Sequence, residues 1–122
     1  MLQVLPIAVF LLGVPVLLYA FYCWDRLIDI QATEFPAQWE ADGKPRKFFR
    51  CVKPFENQPW PWELWRGTMC QFQWLFQDPP WATSHPAAMY YLRHWRFLVA
   101  AWNLGVMPLF AVASCVAVLM SQ

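Results

Sequence analysis

The distribution of charge constrains this chain more than any other feature. All nine Lys/Arg and all eight Asp/Glu lie between residues 25 and 96. On either side stands a charge-free apolar run, of 21 residues over 4–24 and of 24 residues over 97–120. As helices these runs reach about 31 and about 36 Å, against a hydrocarbon core of about 30 Å. The pattern predicts an all-α membrane protein. A transmembrane helix at 4–24 and a second at 97–120 form a helical hairpin, joined by a polar, Trp/Pro-rich segment over 25–96.

The N-terminal run reads as an anchor rather than a cleaved leader. A secretory signal opens with a positive n-region and ends in a small-x-small site. Here Met1-Leu2-Gln3 carries no cation, and the run ends in bulky Tyr19-Ala20-Phe21-Tyr22-Cys23-Trp24. Orientation follows from the cations nearest the runs, because Lys and Arg gather on the cytoplasmic side. Arg26 follows the first run, Arg93 and Arg96 precede the second, and neither terminus has a basic side chain. The expectation is a multi-pass protein of a bacterial inner membrane, with the central segment cytoplasmic and both termini outside. The cysteines fit a reducing compartment. Cys51 and Cys70 form no C-x-x-C and match no common zinc spacing, and Cys23 and Cys115 lie in or beside the runs.

Neither run is a plain leucine rod. Gly13 and Pro15 interrupt the first, Gly105 and Pro108 the second, and a proline that removes a donor and crowds the preceding turn predicts a kink at each place. Ala101 and Gly105 are four apart, as are Ala113 and Ala117, a spacing that lets membrane helices approach closely. Asn103, the amide inside a run, has the chemistry to hydrogen-bond across helices. The first helix is expected to continue past the membrane until Pro36, with a further turn or two over 37–42 ended by Gly43 at the left-handed C′ position. Lys44, Arg46, Lys47 and Arg50, interleaved with Phe48 and Phe49, then make a basic corner suited to lipid headgroups or to water. With Arg93 and Arg96, the corner's Lys44, Arg46 and Lys47 are the candidate lipid contacts.

Prolines 54, 59 and 61 make 51–61 a loop. Beyond it, winding 62–76 at 100° per residue gathers Trp62, Leu64, Trp65, Met69, Phe72, Leu75 and Phe76 into one arc, interrupted only by Thr68. Glu63, Arg66, Gly67, Gln71 and Gln73 fall opposite, with Trp74 the exception. Pro61 suits the start of this amphipathic, interfacial helix and Asp78-Pro79-Pro80 its end. Ser84-His85-Pro86, with Ser as cap, starts a last helix that runs through Tyr90, Tyr91 and Trp95 into the second span. The candidate interaction surface is Trp62, Trp65, Met69, Phe72 and Phe76, with Ala101 and Gly105 in the second span.

Catalytic and cofactor chemistry has few footholds. Eight of nine tryptophans lie within 24–95, but charges nearly balance, so nucleic acid is not an expected partner. Amphipathic rings at headgroup depth explain the enrichment. His85 and His94 are nine apart, not the i, i+4 pair that grips one metal, and neither lies well inside a span. They are the weak candidates for haem or quinone. Scattered carboxylates, four glycines and no nucleophile elbow leave no catalytic constellation, so no enzyme, cofactor or metal is expected.

The stretch Phe35-Pro36-Ala37-Gln38-Trp39-Glu40-Ala41-Asp42-Gly43-Lys44-Pro45-Arg46-Lys47-Phe48-Phe49 resembles small bacterial inner-membrane proteins of the universal stress protein B type and related uncharacterised two-span proteins. Pro36, Trp39, Gly43, Pro45 and Phe49 carry the likeness. The span–segment–span plan covers the whole chain, the local motif about fifteen residues. The Trp-rich helix and Pro-rich linker depart from that pattern. The resemblance implies an inner-membrane hairpin and attaches no enzymatic activity to it. The leading expectation is a non-enzymatic accessory subunit, with membrane lipids and a larger inner-membrane complex as partners. The alternatives are a small redox subunit binding haem or quinone, and a stress-linked membrane factor without fixed partners.

Overall fold

The computed structural model describes residues 3–45, 47 and 61–122, with side chains of the last stretch from Met69 onward. Most of the described residues are helical, and none of them is in a strand. Helix α1 covers Val4–Glu34, α2 Pro36–Ala41, α3 Pro61–Phe76, α4 Pro80–Thr83 and α5 Pro86–Ala101; a π-helical segment at Trp102–Val106 leads into α6, Met107–Met120. Two helices, Val4–Glu34 and the continuous Pro86–Met120, are long and apolar enough to cross a membrane.

Prolines set most of these boundaries. Phe35, ahead of Pro36, is pushed out of the helical region to φ −130° and ψ 55°, which ends α1. Pro36 then opens α2, where its missing donor costs nothing. Gly43, at φ 86°, closes α2 as expected. Its amide donates to the Glu40 carbonyl at 3.1 Å, and Lys44 N–H reaches the Trp39 carbonyl at 2.9 Å. This is the paired Schellman arrangement that satisfies a helix's last acceptors. Trp39 seals the corner: its indole donates to the Pro45 carbonyl at 3.1 Å, and its ring lies 5.9 Å from Lys44 Nζ.

The two prolines inside the apolar runs behave differently. α1 continues past Pro15. Ahead of Pro108 the backbone widens into the π turn, with Met107 N–H donating to the Trp102 carbonyl. The extra residue in the turn relieves the crowding that a proline ring imposes on the preceding turn. Asn103 turns back along its own helix and donates to the Val99 carbonyl at 2.8 Å, rather than reaching across to another.

The chain divides into two compact units, one of Met1–Ala20 with Arg96–Gln122 and the other of Phe21–Trp95. In the first, Phe10 meets the rings of Trp102 at 6.1 Å and Phe110 at 5.9 Å. The closest approach is at Gly13, where an added Cβ would stand 2.4 Å from Val106 Cγ1 and 2.9 Å from Trp102 Cζ3. Ala113 and Ala117 are buried, whereas a Cβ on Gly105 would meet nothing within 4 Å. In the second unit α1 buries Cys23, Trp24, Leu27, Ile28 and Gln31, a stripe at helical spacing. Ala88, Leu92 and Trp95 of α5, Cys70 and Trp74 of α3, and Trp81 and Ala82 of α4 complete that core.

Candidate interaction surface

The core of the second unit is a continuous chain of rings. Trp95 lies 4.9 Å from Trp24, Trp24 5.4 Å from Trp74, and Trp74 5.5 Å from Trp81. Trp81 lies 5.4 Å from Phe35, and Phe35 6.2 Å from His85. Offset and edge-on pairs at such separations add about 0.5–1.5 kcal/mol each beyond the area they bury. Trp74, the exception to the apolar arc of α3, is thus the residue by which α3 is held. The short α4 was not foreseen from the sequence. It places Trp81 in the chain, and its Thr83 hydroxyl donates to the Pro80 carbonyl at 2.8 Å.

Because α3 is held by Cys70 and Trp74, its other apolar edge is left outside. Met69, Phe72 and Phe76 are 47, 58 and 84% exposed. At 100° per residue this edge lies roughly 145° around the helix from the buried one. α3 is therefore apolar on two nearly opposite sides, one used within the unit and one not. The side chains of Trp62 and Trp65, and the whole of Arg46, lie outside the described residues.

Polar groups at the far end of α1 are tightly organised. Asp42, set by the α2 terminus, accepts from Gln31 Nε2 at 2.6 Å and from Gln38 Nε2 at 3.1 Å. Gln31 is fully buried and its Oε1 has no partner, nor has the buried indole N–H of Trp81. Burial, reinforced by the Asp42 carboxylate, pushes the Cys70 thiol up to about 12. Lys47 pairs with Asp29, so this member of the basic corner folds back on α1, while Lys44 is exposed beside Trp39.

The α5 cap is made by His85 and not by Ser84. His85 Nδ1 accepts the Ala88 N–H at 3.2 Å, which leaves the ring proton on Nε2, 2.7 Å from Glu34 Oε2. His94 donates Nδ1–H to the Tyr90 carbonyl at 2.8 Å. His85 thus bridges the start of α5 to Glu34, while His94 bonds back onto the middle of α5. Arg93 is exposed and Arg96 half-buried, as are Ala101 and Gly105.

Comparison with known proteins adds no family to this description: no family model matches the chain, and no curated protein or solved structure is significantly similar to it.

Proposed function

We propose that this chain is a two-span helical hairpin of a bacterial inner membrane, with a cytoplasmic central segment, and that it serves as a non-enzymatic accessory subunit of a larger membrane complex. The observation that carries the proposal is the second apolar edge of α3. A helix whose Cys70–Trp74 side is already committed has no internal use for an exposed Met69, Phe72 and Phe76. Continued back along the sequence, the edge reads Trp62, Trp65, Met69, Phe72, Phe76, alternating steps of three and four. That is the seam by which one helix docks in the groove of another. The spanning reading is supported by exposure as well as length. Only 11% of the most apolar stretch of each long helix is buried, whereas the core helix of a water-soluble protein is mostly covered.

The test is a paired substitution in the native membrane. Phe72→Glu with Phe76→Glu places two charges on the seam, each costing a few kcal/mol to desolvate. Extracted in mild detergent, the wild-type chain is expected to migrate with stoichiometric partners and the double variant without them. Gln71→Glu, roughly 140° around the helix from the centre of the seam, is expected to retain them. Migration of the wild-type chain as a lone monomer at native expression would refute the accessory role.

A further inference from the structure

Adjacent charges at the end of the first apolar run are sorted by burial. Asp25 is buried, whereas Arg26 is exposed. Arg93, one turn before the second run, is exposed as well. Just beyond the ends of both runs the surface therefore presents cations, while the neighbouring acid is turned inward.

Arg26 differs from the two lysines of its unit described above. Lys47 is neutralised by Asp29 and Lys44 lies over Trp39. Among the described residues Arg26 makes no ion pair. Its neighbour is a neutral phenol: the guanidinium lies 5.8 Å from the Tyr91 ring centroid. Tyr22, one turn earlier on α1, meets Tyr91 edge-on at 6.4 Å. Tyr90 stacks against His94 at 4.1 Å and meets Tyr91 edge-on at 5.3 Å. The fork thus lies beside a ring that supplies no counter-charge, and it keeps its planar set of five donors. That set matches the oxygens of a phosphate.

We propose that Arg26, with the hydroxyl of Tyr91, forms a site for the phosphate of an anionic phospholipid headgroup. The chemistry is that of any phosphate. The depth, two residues past the end of the first apolar run, selects the lipid. Tyrosine and arginine at that level are where headgroups lie. The proposal rests on the spanning reading above but not on the accessory role or on α3.

Native mass spectrometry of the full chain in mild detergent, with added phosphatidylglycerol, phosphatidylcholine or inorganic phosphate, tests it. Phosphatidylglycerol is expected to be retained in preference to phosphatidylcholine. Arg26→Gln should lower that retention about fivefold, the worth of one cation near an anionic surface. Arg26→Lys, which keeps the charge and loses the fork, and Tyr91→Phe, which keeps the ring and loses the hydroxyl, should each lower it by a smaller factor. Unchanged retention in Arg26→Gln would overturn the site, as would equal retention of the two lipids. Full retention in both Arg26→Lys and Tyr91→Phe would overturn it too, by showing charge without a built site. Displacement of the lipid by millimolar inorganic phosphate would assign the site to free phosphate instead. If Arg26→Gln fails to fold, Tyr91→Phe decides. Release of the wild-type chain from carbonate-washed membranes would defeat the spanning reading itself, a failure separate from loss of lipid preference.

Discussion

Two glycines of the apolar runs look alike in sequence and are opposite in structure. At Gly13 a methyl group would collide with Val106 and Trp102. Val106 is β-branched and stiff in a helix, so it cannot swing away cheaply. Gly13→Ala is expected to destabilise the first unit by about 1–3 kcal/mol, the usual cost of overpacking. Gly105→Ala, with open space before it, should be neutral or stabilising by up to about 1 kcal/mol. Thermal unfolding in detergent, with both variants in one preparation, checks the contrast, and equal shifts would contradict it. Sequence spacing offered two close-packing pairs, Ala101 with Gly105 and Ala113 with Ala117, and of these the second is the buried one. Spacing reports which residues share a face, but only the partner helix decides which face is used. Trp74 taught the same lesson in reverse: it broke the pattern of α3 because it serves that helix's other side.

Helix boundaries were the most legible elements, because proline and glycine act through their own backbone. Pro36, Gly43 and Pro61 stand where the sequence placed them, at φ values and first-turn positions that local sterics dictate. The start of α5 was misread at its cap. Ser84 is the commoner N-cap, yet Pro86 occupies the first helical position and so leaves the cap to His85. His85→Ala is expected to cost about 1–2 kcal/mol, from the lost cap together with the contact to Glu34. His85→Asn restores a capping acceptor and should recover about half of that loss. Denaturant melts of the three proteins measure it. Equal stability of the Ala and Asn variants would show that the cap contributes nothing. The π turn and α4 were not legible, since both arise from how the chain accommodates neighbouring prolines in three dimensions.

For the molecule as a whole, the membrane orientation proposed above is open to a direct experiment, and the structure changes how it must be done. Cys70 is buried and its thiol is pushed up to about 12, so its thiolate is scarce at neutral pH. It would stay unlabelled on either side of a membrane. Cys51 lies outside the described residues. Exposed positions serve better. Glu40→Cys and Ser84→Cys are expected to resist a membrane-impermeant thiol reagent in intact cells and to react after permeabilisation. Gln3→Cys and Gln122→Cys should react in intact cells. The reverse pattern would invert the topology. The two long apolar helices were plain in the charge map because hydropathy over some twenty residues needs no tertiary information. The aromatic core was not, because ring contacts between α1, α3, α4 and α5 join positions far apart in the chain.

That core also bears on how the chain can change over generations. Four consecutive members of the ring chain are tryptophan, each packed against the next. Tryptophan has a single codon, and no single-nucleotide change converts it to phenylalanine, tyrosine or histidine. Every one-step neighbour is Arg, Gly, Leu, Ser, Cys or a stop, and each would leave a void or an unpaired polar group among the remaining rings. The core of the second unit cannot drift gradually through other aromatic residues. A lineage that carries this ring chain must keep it whole or cross to another packing by several changes at once.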